Sequence, residues 1–332
     1  MSFRTVAWLT ILIVLAAGVV EAWRTFTPTA TVAAGPVIVD VPAHAGVVEI
    51  GRRLREVGVI RSPFGFVALG LVDGSARTLK AGEYEIPKDS TTPDILALLA
   101  SGHVRQHVVL HPEGATVAEL ARVLEAEKLA RAEDVLRVAQ DPAFLKAQGI
   151  PGPSVEGYLY PDTYQFVRGM RTEEILGRMV QRLKVKLDPG LVARAEALGL
   201  TTHQLLTLAS IIEREAVDRG ELRLIAAVFW NRLRRDMPLQ ADPTVQYAVG
   251  KERRALTRAD LQMDHPFNTY RRIGLPPGPI ASPGLPAIQA ALEPASVKYL
   301  YFVAMNDRRH HFSTTMQEHN AAVARYRLVK AR

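Results

Sequence analysis

Two glutamates, two positions apart, are the residues best placed in this chain to do chemistry. They lie in HQLLTLASIIEREAVDRG, residues 203–220. Leu205, Leu208, Ala209, Ile212 and Ala216 recur there at helical spacing and make one apolar face at about 100° per residue. Glu213 projects about 80° to one side of that face's centre and Glu215 about 80° to the other. The spacing therefore predicts both carboxylates at the boundary of core and solvent. A carboxyl group pressed against apolar neighbours, here Leu206 and Ala209 beside Glu213, has its charged form disfavoured, and its pKa rises. It then holds a proton near neutrality and can give it to a leaving oxygen. The geometry does not choose between the two glutamates. Ordinary flanking charges on an amphipathic helix would show the same pattern.

The elements around this helix read as α+β. VVEIGRRLREVGVI (47–60) puts Val47, Ile50, Leu54 and Val57 near helical spacing. KAGEYEIP (80–87) reads as a strand, and 104–110 as another. Between them Thr92 is expected to cap a helix that carries Pro93 at its first position and stops at Gly102. TVAELARVLEAEKLA (116–130) echoes the earlier helix, Leu120 and Leu124 matching Ile50 and Leu54. This is either a repeated α/β unit or two separate amphipathic helices. Residues 149–165 are turn-rich and aromatic. Residues 172–200 read as helical, with Ile175, Met179 and Leu183 on one face, and Thr201-Thr202 caps the glutamate helix. The Pro- and Gly-dense 236–295 forms loops of the kind that line sites. VKYLYFVA (297–304) reads as a central strand, followed by a last helix over 314–329.

The bulk properties narrow the class. There is no cysteine, which excludes disulfides and thiolate metal sites. The net charge of +7 suits a polyanionic neighbour or a plain basic surface. TVAWLTILIVLAAGVVEA (5–22) is long and apolar enough to cross a bilayer when its ends snorkel. It lacks a clean cleavage site and reads as an uncleaved anchor rather than a secretory peptide. The rest of the chain is then expected outside the cytoplasm, which makes nucleic acid a poor partner.

Blocks around the glutamate helix resemble a known family. LASIIEREA (208–216) and AAVFWNRLRRDMPLQADPTVQYAVG (226–250) are similar to the signature of the endolytic murein transglycosylases, the YceG-like family. So are EGYLYPDTYQF (156–166), NTYRRIGLPPGPIASPG (268–284) and YLYFVAMNDRRHHFSTTMQEHN (299–320). The anchor, read as a cytoplasmic tip at 1–4 and a transmembrane signal anchor at 5–23, matches the family layout, and the small, polar, Pro-containing residues 24–37 read as a tether. A LysM-like module at 38–108 and a catalytic domain at 109–332 with a central catalytic helix would follow. The resemblance implies Glu213 as the catalytic acid and base, with Glu215 less certain in role. It carries the family's Asn-Arg pair onto Asn231 and Arg232, and its Gln-x-Asp-Pro-Thr block onto Gln240, Asp242 and Thr244, with Tyr247 in register. Trp230 stands where a smaller or aliphatic residue is common.

The implied activity is lytic cleavage of the β-1,4 bond between N-acetylmuramic acid and N-acetylglucosamine in nascent peptidoglycan, leaving a 1,6-anhydro end and terminating strand elongation. Peptidoglycan strands would be the substrate, the bacterial inner membrane the location with the catalytic part on its periplasmic side, and peptidoglycan synthases plausible partners. Candidate substrate contacts are Glu156, Tyr158, Asp162, Glu215, Asn231, Arg232, Gln240, Asp242, Thr244, Tyr247, Asn268 and Tyr270. Each has a plainer reading: polar loop residues satisfy turns, and tyrosines fill rims. His310, His311 and His319 come without an HExxH pattern or any cysteine, so no metal is expected, and the implied mechanism needs no cofactor. The competing reading is a non-catalytic, membrane-anchored glycan-binding or scaffold protein of wall synthesis. A metal-dependent wall hydrolase is a third.

Overall fold

The computed structural model describes residues 3–29, 35–250, 254–305 and 309–330. It is a mixed α+β chain in two compact units, Met1–His107 with Gln165–Gly169, and Val108–Tyr164 with Met170–Arg332.

In the first unit, α1 (Phe3–Phe26) is long and apolar enough to cross a membrane over Thr5–Phe26, at mean hydropathy 2.1 and with none of that window buried. It runs on into the segment read as a tether, and Thr25 and Thr29 are buried. Residues 30–34 lie outside the described residues. β1 (Val37–Val41), α2 (Val47–Glu56) and α3 (Pro63–Val72) follow. β2 (Gly82–Ile86) pairs antiparallel with β1, Val39 opposite Tyr84. α4 (Thr92–Ser101) is capped one residue earlier than expected: Thr91, not Thr92, accepts from the Asp94 N–H, and Asp94 returns the bond in a capping box. Gly102 ends α4 in the left-handed region as foreseen. Ile50 and Leu54 are buried, but Val57 falls past the end of α2 and is 44% exposed. One buried charge is fully paired: Glu83, 2% exposed, meets Arg168 at 2.7 Å, His107 at 2.6 Å and Arg105 at 3.6 Å.

β3 (His107–His111) pairs with β4 (Asp162–Phe166), and the division between the units falls within both strands. α5 (Val117–Ala126), α6 (Ala132–Ala139) and α7 (Pro142–Gln148) lie between them in sequence. The stretch expected as one helix is two, α8 (Thr172–Lys186) and α9 (Pro189–Ala197), because Asp188-Pro189 caps and restarts it.

α10 (Thr202–Glu215) opens on the expected Thr201 cap, whose hydroxyl accepts from the Gln204 N–H. It is not amphipathic in place: every residue from Leu205 to Glu213 is buried. α11 (Leu222–Leu233), α12 (Asp242–Ala248) and α13 (Arg258–Gln262) follow, then α14 (Leu285–Leu292). α9, α11, α12 and α14 pack on α10 and cover it. Ala216, expected on the apolar face, is instead the extended residue that ends α10.

The run 297–304 is not a central strand. Only Tyr301–Ala304 is a strand, β5, and among the described residues it pairs antiparallel with β6 (His310–Ser313) alone. Its apolar rings explain the run: Phe302 packs on Phe229 and Phe312. α15 (Met316–Lys330) closes the chain and begins with the Thr315 hydroxyl accepting from the Glu318 N–H.

Candidate functional site

Glu213 stands in the last turn of α10, where the helix leaves the core. Two segments far away in sequence meet it there. The loop after β3 supplies Glu113 and Gly114, and the loop before α14 supplies residues 280–284. Ser210 Oγ, one turn back on α10, accepts from the Ile280 N–H at 3.1 Å. Ser282 N–H donates to Ala115 O, and Gly114 N–H donates to Ser282 O, both at 2.8 Å. His111 Nε2 shares a 2.8 Å hydrogen bond with Ser282 Oγ. Burial pushes His111 down to about 4, so near neutral pH it serves the loop as an uncharged imidazole. Arg214 Nη1 donates to Gly114 O at 3.0 Å.

These segments enclose a cavity of about 500 Å³ lined by Glu113, Gly114, Glu213–Val217, Asp242, Pro243 and Gln246. The Glu213 carboxyl is fixed at both oxygens. Oε2 accepts from the Gly284 N–H at 3.0 Å and Oε1 from Arg219 Nη1 at 2.8 Å. Arg219, on the short 3-10 turn Arg219–Glu221, also pairs with Glu113. It is thus shared between two carboxylates, with its side chain 45% exposed and that of Glu213 6%. Burial holds the Glu213 carboxyl above the ordinary carboxylate range, and the Gly284 N–H opposes that shift. The arginine opposes it too while the pair is closed, by the attraction of opposite charges. The turn that carries Arg219 is itself tied down. Glu221 accepts from the His310 backbone N–H at 2.9 Å and meets its Nδ1 at 2.7 Å.

Glu215 projects into the same cavity beside Asp242. Its carboxyl is pushed up to about 8, first by burial and then by the Asp242 charge, against the pull of Arg232 and Arg214. Asp242 in turn accepts from Tyr270 Oη at 2.5 Å. The Tyr270 phenol is raised, mainly by burial and next by that hydrogen bond.

Of the sequence candidates, Glu213, Glu215 and Asp242 line this cavity, and Tyr270 reaches it through Asp242. The others lie outside the lining. Glu156, 5% exposed, accepts from the Val117 N–H at the start of α5. Tyr158 bonds His203 Nδ1 at 2.8 Å and lines a separate apolar cavity of about 580 Å³ near the start of α10. Asp162 pairs with Arg182 at 2.7 Å. Thr244 Oγ1 donates to Ala241 O and bonds Thr269 Oγ1. Tyr247 lies against Phe267, ring centres 5.0 Å apart.

Asn231 and Arg232 act on backbone. Asn231 Nδ2 donates to Val297 O and Tyr299 O, both at 2.9 Å. Arg232 Nε donates to Leu300 O, and Nη1 to Pro238 O, Leu239 O and Gln240 Oε1. The pair thereby satisfies carbonyls ahead of β5 and fixes the 238–240 turn, in which Gln240 sits at φ +51°. Asn268, fully buried, donates to Leu261 O and Met263 O and accepts from the Tyr270 N–H. Trp230 donates to Ala291 O at 2.8 Å, wedged between α11 and α14. Among the described residues, no group of three His, Asp or Glu is placed to hold a metal.

Glu113, Gly114, Arg219 and Gly284 escaped the sequence reading. For the first two the readable signal is the turn Pro112-Glu113-Gly114 between a strand and a capped helix.

Comparisons with known proteins agree with this architecture. The YceG-like family model matches residues 39–325. The endolytic murein transglycosylase of Bacillus subtilis (strain 168) is 33% identical over 307 residues, covering 87% of this chain and 84% of that one. The Streptococcus pneumoniae serotype 2 (strain D39 / NCTC 7466) protein of the same description is 30% identical over 322 residues. Those cover 87% of this chain and 58% of that longer relative. A crystal structure of a chain described as yceG-like, from Listeria monocytogenes, superposes with a TM-score of 0.61 at 35% identity, covering 86% of this chain and 98% of that one. The chain belongs to the YceG-like family.

Proposed function

We propose that this chain is a lytic transglycosylase acting on peptidoglycan glycan strands, with Glu213 as its single acid and base. The observation that carries the reading is a buried carboxyl, held by burial above the ordinary carboxylate range, at the wall of a cavity large enough for a saccharide. The family membership adds the substrate: relatives carry the description endolytic murein transglycosylase. Sugar entry draws Arg219 onto Glu113 and leaves Glu213 to take a proton. Glu213 gives that proton to the glycosidic oxygen between N-acetylmuramic acid and N-acetylglucosamine, and the C1–O bond breaks. The resulting carboxylate takes the proton of the muramic acid C6 hydroxyl, whose oxygen bonds to C1 and closes a 1,6-anhydro ring. The nucleophile is in the same sugar, so proximity replaces the bound water that a two-carboxylate glycosidase uses.

Glu215 and Asp242 hydrogen-bond the strand at the cavity wall. Asn231, Arg232, Gln240, Thr244 and Asn268 serve the reaction by holding the loops. α1 anchors the chain in the inner membrane, residues 38–108 form a LysM-like glycan-binding module, and the catalytic part (109–332) lies outside the cytoplasm. There it trims strands as synthases extend them. Glu213→Gln tests the assignment. The variant is expected to co-sediment with peptidoglycan as the parent does while turnover falls about 10²- to 10⁴-fold, the usual worth of a general acid–base group. Equal turnover by the variant would remove Glu213 from the chemistry. Binding without turnover by either protein would favour the scaffold reading.

A further inference from the structure

We infer that α3 is a membrane-surface helix, docking the first unit on the lipid beside α1 through Phe64, Ala68, Leu71 and Val72. The inference rests on the anchor reading of α1. PFGFVALGLV carries no charged side chain. At about 100° per residue, Phe66 and Gly70 share the face that is buried in the unit. Phe64, Ala68, Leu71 and Val72 fall on the opposite side. Phe64 is 71% exposed, Leu71 64% and Val72 85%. A stripe of large apolar side chains left open to water marks a surface that something covers.

Its neighbour identifies what covers it. The last turns of α1 are fastened to the start of α3. Ser62 Oγ donates to Glu21 Oε1 at 2.9 Å, and Arg61 Nη1 donates to Thr27 Oγ1 at 3.3 Å. The Arg61 guanidinium lies 4.5 Å over the Trp23 ring. Thr25 sits so close to Gly65 that any side chain there would strike it. Gly65 lies at the edge of the exposed stripe, so the stripe runs alongside the anchor. Tryptophan settles at the bilayer–water interface, which puts the start of α3 at that same depth. Arg24 is exposed there, and Arg77 is exposed on the turn after α3. Both suit anionic headgroups above an apolar face.

The chain has no cysteine, so single labelling sites can be placed at will. The test uses the full chain in nanodiscs containing anionic lipid, spin-labelled in turn at Val14→Cys, Glu56→Cys, Phe64→Cys and Leu71→Cys. Collision with oxygen, which partitions into lipid, is compared with collision with a water-soluble nickel chelate. The oxygen-to-nickel ratio at 64 and 71 is expected severalfold above that at 56 and below that at 14. Ratios at 64 and 71 equal to that at 56, with 14 in lipid, would overturn the docking and leave the anchor intact. Protection of 64 and 71 from both reagents would overturn it in favour of a protein cover. An aqueous ratio at 14 would overturn the anchor and the docking together.

Discussion

The segments Val37–Ile60 and His107–Ala130 are the same piece of backbone used twice. In each, a strand ends in proline and a turn follows, closed by a 3.2 Å bond from Ala45 N–H to Pro42 O, or from Ala115 N–H to Pro112 O. Each turn holds one residue in the left-handed region, His44 at φ +69° and Gly114 at +73°. Each helix ends alike, with Val59 N–H donating to Leu54 O at 3.0 Å and Leu129 N–H to Leu124 O at 2.9 Å. The turns differ in what they meet. In the first copy Ala43 and His44 face solvent. In the second, Glu113 shares Arg219 with Glu213, and Gly114 bonds both Arg214 and Ser282. The helix start differs too: Gly46 offers no cap, whereas Thr116 and Glu119 form a capping box. A common scaffold thus becomes part of a site through one carboxylate and one glycine.

The sharpest break of this comparison is Glu113→Gln. Arg219 is then left to Glu213 alone, the Glu213 pKa falls, and turnover is expected to drop about tenfold, with the alkaline limb of the rate profile moving to lower pH. Arg219→Ala should move that limb up, since the carboxylate then loses the positive charge 2.8 Å from its Oε1. A pH–rate series on the three proteins measures both shifts.

Glu215→Gln addresses the cavity's second carboxyl. Its folded pKa of about 8 lies above the unfolded value, so between the two the folded state holds a proton that the unfolded state has lost. Stability therefore falls as pH rises through that window, and the glutamine variant should gain about 1 to 3 kcal/mol over the parent at pH 8 and little at pH 4. Denaturant melts at the two pH values report it.

Gly114→Ala places a side chain in the left-handed region and should cost about 1 to 2 kcal/mol, read by the same melts. In the exposed twin, Ala43→Glu is expected to change neither turnover nor stability beyond about 0.5 kcal/mol.

What the sequence made legible was local. Caps at Thr201 and Gly102, the burial of Ile50, Leu54, Leu120 and Leu124, and the echo between their helices all follow from short-range patterns. The expected edge position of Glu213 came from one helix face, yet α10 is buried on every side by helices that its own sequence does not mention. The break at Asp188-Pro189 is equally local, a capping aspartate followed by proline at the first helical position. Glu113, Arg219 and Gly284 come from three separate loops, and no spacing within one segment could join them. Asn231 and Arg232 looked like ligand contacts because polar side chains on a motif helix suggest a surface. Their partners are carbonyls six to 68 residues away.

The most direct test follows the oxygen atoms. Purified protein digests peptidoglycan in water enriched in heavy oxygen, and the new ends are weighed by mass spectrometry. Attack by the muramic acid hydroxyl predicts anhydro ends, each lighter than a reducing end by one water and free of heavy oxygen. Reducing ends that carry the heavy isotope would show that water is the nucleophile and contradict a single acid and base at Glu213.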